Sequence, residues 1–566
     1  MIEKSEVQKP APKKTSFFKK FLLGIGGIIV FVVGIYCYLR VRPATTTIDP
    51  ISYFSEFSSE YINMTFEDIR VDLYEPAILI DDNIFISSDF AEKYVDDTIF
   101  YDSNENILTI TTLNSVKRFD VGETTKDFLF EKNGVCYILD TFLEDRFPII
   151  FEQGADNRLI IARNLAEEKL LGKITKRTGA VIRTHADKKR DIIDDMPYGS
   201  IVEIYGTVLD YYRVRNENGM IGYIPKKYVE EIGASVVVPK IIYTPYELKK
   251  PLNEKVRLVW DQMAVEPVHE FTNSRYDNLD DINVISPTWF EFANDDGDLI
   301  SRASARYMQQ ARSRGLLIWP LLSNNFSEPQ FTQEILTSTT KRQHVIDQLI
   351  EYAKEYNFDG INIDIENVTQ NISREWVQFM RELYPQLGEL GLCVSVDVYI
   401  PSDWSKFYMR DKISQVVDYF IVMAYDEHWS GSPKPGPVAS LGWVEEGLIL
   451  NLEEVPNYKL VLGIPFFNRI WAQTSDGTLE TRAISMYEAN NRINAADVNL
   501  IYDDLTGLNY AEFVQNNKTY KMWLEDKEAI NKRVKLIEEY DLAGYAAWKL
   551  GLETGDIWEE LSKMSN

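Results

Sequence analysis

The chain has 566 residues, 45% hydrophobic and 26% charged, which is too long for one ordinary core and normal for a globular multidomain protein. A formal charge of -27 and a pI of about 4.7 argue against a nucleic-acid partner and suit a neutral polysaccharide. Three cysteines (Cys37, Cys136, Cys393) and four scattered histidines (His185, His269, His344, His428) supply no disulfide framework and no zinc pattern, so no metal and no cofactor is expected.

Residues 1–20 form a basic tail with Lys4, Lys9, Lys13, Lys14, Lys19 and Lys20. Residues 21–39 then carry no charge, and their length predicts one transmembrane helix. A cleaved signal peptide is the competitor, but no Ala-x-Ala site follows. Lysines before the run outnumber Arg40 and Arg42 after it, so the expectation is a single-pass anchor in the cell membrane. Its N-terminus would be cytoplasmic and the bulk of the chain extracellular. Residues 43–54 read as a linker.

An internal repeat runs from 55 to 165. Phe85, Phe90 and Ile107 align at one constant offset with Tyr137, Phe142 and Leu159. Each unit reads as a strand, a short helix and a hairpin, with turns at 102–106 and 154–157. Over 171–232, short runs such as Val202-Glu-Ile204 and Tyr212-Arg-Val214 alternate as small β-barrel strands do. Pro239, Pro245 and Pro251 mark a linker over 233–252. From 253 to 566, eight apolar strands alternate with helical stretches: 257–260, 283–286, 316–321, 360–365, 393–398, 419–423, 460–464 and 544–547. That rhythm predicts an α/β TIM-type (β/α)8 barrel. Only residues 472–527 break it, as an insertion before the last strand.

The fourth strand carries the chemistry. In Gly360 to Glu366, Ile361, Ile363 and Ile365 face one way, and Asn362, Asp364 and Glu366 the other. Burying three polar groups on one strand face is expensive and marks a functional site. Asp364 and Glu366 project side by side toward the strand's C-terminal end, where such barrels hold their active sites. The competing reading is a structural carboxylate pair capping the next helix.

Asp359, Asp364 and Glu366 resemble the glycoside hydrolase family 18 signature Asp-x-x-Asp-x-Asp-x-Glu, with Asn362 in place of the second aspartate. Met423-Ala-Tyr425-Asp426 is similar to the family's Met-x-Tyr-Asp, and Trp548 ends the last strand where the family places a tryptophan under the sugar. With Tyr425 to Trp429 and Gly436 to Ala439, the region resembles the spore-cortex and cell-wall N-acetylglucosaminidase subgroup, in which asparagine at position 362 is usual. The resemblance implies catalysis by Glu366 as acid, Asp364 and Tyr425. It implies substrate contact from Asn362, Met423, Asp426 and Trp548. Trp289, Arg469 and Trp471, on the loops after the second and seventh strands, join this substrate set; Trp289 and Trp471 suit core packing equally well. Trp319 reads as core. Asn362 is expected to place no charge beneath Asp364.

The implied function is a substrate-assisted retaining glycosidase acting on β-1,4 links of peptidoglycan or chitin. The alternative is a catalytically silent wall-binding protein. Residues 171–232 resemble a bacterial Src-homology-3-like domain, whose groove often takes cell-wall peptide. Residues 55–165 resemble a copper amine oxidase N-terminal-like domain, although no copper-ligand cluster is present. Asn367-Val-Thr is a glycosylation sequon touching the active strand, which argues against a eukaryotic secreted chitinase.

Overall fold

The computed structural model describes residues 15–49, 53, 62–154, 159–235, 252–263, 276, 279 and 281–564. Most of the basic tail, most of the 233–252 linker and the turn at 155–157 lie outside the described residues. The chain divides into two compact units, residues 1–95 with 137–243, and residues 96–136 with 244–566.

In the first unit, seven strands between Lys169 and Ser235 form one antiparallel sheet. Its bulges at Leu171/Gly172 and Ile204/Gly206 curl it around a core of Ile174, Ile182, Val214 and Ile224. The helix Thr15–Val41 also belongs here. The membrane span expected over 21–39 is corrected: among the described residues, no helix is long and apolar enough to cross a membrane. A bilayer core asks for about 20 consecutive apolar residues. Glycines at 24, 26, 27 and 34 dilute the bulky apolar side chains of this helix.

The second unit holds the barrel. Its strands are β1 (Val256–Asp261), β2 (Val284–Pro287), β3 (Leu317–Ile318 and Leu321–Ser323), β4 (Gly360–Asp364), β5 (Cys393–Tyr399), β6 (Tyr419–Met423), β7 (Leu460–Pro465) and β8 (Gly544–Trp548). Every neighbouring pair is parallel, and β8 pairs β1, so the sheet closes with no edge. Trp319-Pro320 interrupts β3 because proline has no N–H to give the ladder. Ile361, Ile363 and Ile365 pack outward under the helices and are fully buried. The region after β7 is larger than the expected 472–527. Strands Phe467–Thr474, Leu479–Ser485, Ile501–Asp503, Leu508–Gln515 and Lys518–Leu524 form an antiparallel sheet of their own.

The repeat module is divided rather than whole. Strands Ile99–Asp102, Ile107–Thr112 and Ser115–Asp120 group with the barrel. They dock on helices α1 (Thr339–Tyr356) and α2 (Ser373–Gly388) through polar pairs. Asp102 Oδ2 accepts from Thr339 N and Oγ1 at 3.0 and 2.8 Å. Arg118 reaches Glu382 at 3.2 Å.

Candidate active site

Gly360 opens β4 because nothing larger fits. A Cβ there would lie 2.6 Å from the Trp319 ring and 2.7 Å from the Cys393 carbonyl. Two residues on, Asn362 is fully buried at the barrel axis and satisfied from four sides. Its Oδ1 accepts from Trp260 Nε1 at 2.8 Å and Ser286 Oγ at 3.4 Å. Its Nδ2 donates to Ser395 Oγ at 3.0 Å and Asp397 Oδ1 at 2.8 Å. Asn362 is therefore a strut between strands β1, β2, β4 and β5.

Asp364 ends β4 and is 9% exposed, and its Oδ1 is buried with no hydrogen-bond partner. Burial, then the charges of Asp397 and Glu366, hold its carboxyl well above the usual range. Asn362 itself adds no charge beneath Asp364, but the neighbouring strand supplies a carboxyl there. Asp397, on β5 and 2% exposed, brings a second buried carboxyl.

Glu366 lies just past the strand. Asn324 holds its backbone from both sides, accepting from Glu366 N at 2.9 Å and donating to Glu366 O at 3.1 Å. Tyr408 donates to Ile365 O at 3.1 Å, and Asn367 turns the chain away at φ 61°. The Tyr399 hydroxyl donates to Glu366 Oε2. Burial raises the Glu366 carboxyl, the Tyr399 hydrogen bond opposes this, and Asp426 adds to it.

On β6, Met423 is buried and Tyr425 follows. Burial and the carboxyls of Asp397, Asp364, Asp426 and Glu366 push the Tyr425 hydroxyl well up, so it stays a donor. Gly463 on β7 leaves room for the Tyr425 ring, whose Cε1 would be 3.3 Å from a Cβ there. Asp426, at φ 60°, pairs with Arg469 at 3.2 Å. Trp548 is half-buried and meets Trp260 edge to face at 5.9 Å.

Asn362, Asp364, Glu366, Met423, Tyr425, Asp426, Arg469 and Trp548 thus cluster at the C-terminal ends of β4, β6, β7 and β8. Trp289 and Trp471 do not join them. Trp289 is 1% exposed and packs on Tyr307 and Tyr356 at 5.5 and 6.2 Å, outside the barrel wall. Trp471 is equally buried and donates to Gly436 O at 2.8 Å. Asp359 sits at the opposite end of β4, where it accepts from Ile318 N at 2.9 Å. A cavity of about 690 Å³ also lies at that end, lined by Trp319, Asp359, Cys393 and Asp418, and includes none of the clustered residues.

Sequence reasoning missed Asp397, Tyr399 and Asn324. The signal for the first two was present. Ser395, Asp397 and Tyr399 alternate with valines on β5 as the polar residues do on β4. Asn324 lies in a loop and carries no comparable pattern.

Residues 269–553 match the model for glycosyl hydrolases family 18. The chain belongs to this family. It is a glycoside hydrolase. Residues 178–230 match the bacterial SH3 domain, and neither match reaches the repeat module. An uncharacterized glycosylase YvbX of Bacillus subtilis (strain 168) is 25% identical over 296 residues, 50% of this chain and 84% of that protein. A cortical fragment-lytic enzyme of the same organism is 25% identical over 287 residues, 45% of this chain and 66% of that one. The crystal structure of the Bacillus megaterium QM B1551 spore cortex-lytic enzyme SleL has a TM-score of 0.50 at 20% identity, covering 60% of this chain and 78% of that one. It shows the shared fold.

Proposed function

We propose that this family 18 enzyme cleaves a cell-wall glycan containing N-acetylglucosamine, by a route in which the substrate's own acetamido group is the nucleophile. Glu366 protonates the glycosidic oxygen. The acetamido oxygen attacks the anomeric carbon and closes an oxazolinium ring. Asp364 accepts the acetamido N–H and offsets the developing positive charge, while Tyr425 donates to the acetamido oxygen. Water then opens the ring with Glu366 as base, giving net retention. Asp426, steadied by Arg469, binds sugar hydroxyls; Trp548 offers its ring to the pyranose face. Asn362 and Met423 form the floor.

One observation carries this reading: Asp364 Oδ1 is buried without a donor beside Glu366. An acceptor left unsatisfied in the free protein costs about 1–3 kcal/mol. A substrate N–H would satisfy it, and a sugar lacking the N-acetyl group would not.

Peptidoglycan is the preferred substrate, chitin the second. A relative named cortical fragment-lytic enzyme and the bacterial SH3 match favour the wall. A class V chitinase of Arabidopsis thaliana, 24% identical over 250 residues, keeps chitin in view. The SH3 domain would hold wall peptide, and the enzyme would act on the outer face of the cell. The test is turnover of a chromogenic N-acetylglucosamine oligomer and of purified wall. Wild type should release fragments with a reducing N-acetylglucosamine end by mass spectrometry. Glu366→Gln should lose roughly a thousandfold or more of the rate. Equal rates for the variant, or for an oligomer without N-acetyl groups, would refute the mechanism.

A further inference from the structure

The barrel interior holds one carboxyl more than the mechanism uses. Asp397 is 2% exposed on β5, and Asn362 Nδ2 donates to its Oδ1 at 2.8 Å. Asp364, on the next strand, has a buried Oδ1 with no donor. The two are therefore unequal. Asp397 has a neutral amide that stabilises its anion; the buried Oδ1 of Asp364 has no donor until a substrate arrives. Like charges buried together cannot both ionise cheaply, so such a pair keeps a proton. In the free enzyme that proton belongs on Asp364, the member without a donor.

We propose that Asp397 is the proton acceptor for Asp364. When the sugar's acetamido N–H reaches Asp364, the O–H bond of Asp364 breaks and an O–H bond forms on Asp397. The pair's net charge stays at minus one. Asp364 becomes the anion that faces the oxazolinium, without losing a proton to water from a closed site. Asp397 touches no reacting atom and is a positioning residue. The proposal rests on the roles of Asp364 and Glu366 given above.

The other titratable groups facing the pair are Glu366 beyond β4, Tyr399 on β5, Tyr408 beyond β5, and Tyr425 and Asp426 beyond β6. Arg469 is held by Asp426. Asn362 is the hinge of the arrangement. Exchanging the two residue types, Asn362→Asp with Asp397→Asn, keeps a hydrogen bond between the positions with donor and acceptor reversed. It also returns a buried carboxyl beside Asp364.

The experiment compares wild type, Asp397→Asn and the double exchange. The pH profile of kcat/KM, which reports the free enzyme, is measured on an N-acetylglucosamine oligomer. In wild type the acid limb reports loss of the first proton, from the better-stabilised Asp397. In Asp397→Asn, Asp364 must lose its own proton to solvent. Its acid limb should move up by about one pH unit or more. At mildly acid pH kcat/KM should fall roughly tenfold to a hundredfold. The double exchange should recover most of the rate and bring the limb back. Thermal melting checks that each variant is folded.

Calorimetry with an N-acetylglucosamine-thiazoline, in buffers of different ionisation enthalpy, gives a readout independent of turnover. Wild type should release almost no proton on binding, and Asp397→Asn should release about one. An unmoved acid limb, a double exchange no better than the single variant, or equal proton release would overturn the proposal. If Glu366→Gln is inactive while Asp397→Asn shows none of these changes, this inference alone fails. If Glu366→Gln remains active, the underlying mechanism fails.

Discussion

Burial raises the Glu366 carboxyl, and Tyr399 opposes it. The Tyr399 hydroxyl donates to Glu366 Oε2 and so favours the anion, while burial favours the acid. In the proposed mechanism the acid form serves the first step and the anion the second. Tyr399→Phe removes only the opposing hydrogen bond, so the Glu366 pKa should rise. A hydrogen bond to a charged group is worth about 1.5–3 kcal/mol, or about one to two pH units. The alkaline limb of the pH–rate profile should move up by that amount, read from kcat between neutral and alkaline pH. An unmoved limb would mean that the contact does not form in the working enzyme.

Helix α1 shows how an element depends on a distant part of the chain. Ser338 caps it, accepting from Lys341 N. Asp102, from the three-stranded sheet, takes the Thr339 N–H as well. An anion at a helix N-terminus is favoured by the exposed N–H groups and the macrodipole. Nearby, Arg342 and Glu382 are both fully buried and paired at 3.0 Å, with Phe100 of the same sheet 5.1 Å from the guanidinium. A buried pair of this kind specifies one docking geometry more than it adds net stability. Asp102→Ala should lower the stability of the unit by about 1–2 kcal/mol, measured as a lower melting temperature. Turnover below the melting range should persist, because Asp102 is no part of the carboxyl cluster.

At the level of the molecule, the catalytic unit is not the barrel alone. Residues 96–136 belong to it. Asp97 pairs with Arg381 at 2.9 Å and also with Lys412, and Ser338 and Thr340 both donate to Glu105. A chain beginning at residue 253 would leave those partners exposed and the Arg342–Glu382 pair open to water. Its barrel should melt on the order of 5–10 °C below the same barrel in the full chain, as expected from a loss of a few kcal/mol in a large domain. Calorimetry of both proteins tests this. Equal melting would mean that the sheet only rests on the helices.

Much of the site could be read from residue order, because period-2 alternation is local. The alternation from Gly360 to Glu366 identified β4 and its inward polar face, and the family resemblance singled out Glu366 as the proposed acid. The eight strands and the aromatic end of β8 followed from the same rule and from length. Folding alone settled which residues meet across strands. Asp397 and Asp364 are far apart in the chain, and a closed barrel makes them neighbours. Trp289 and Trp471 read equally well as platform or core until burial was known, since an aromatic side chain serves both. The repeat between 55 and 165 was visible as self-similarity, but self-similarity does not say what a hairpin packs against. Its first hairpin joins the barrel because Asp97, Asp102 and Glu105 find cations and a helix terminus there. Those are long-range electrostatic contacts, which local pattern does not encode.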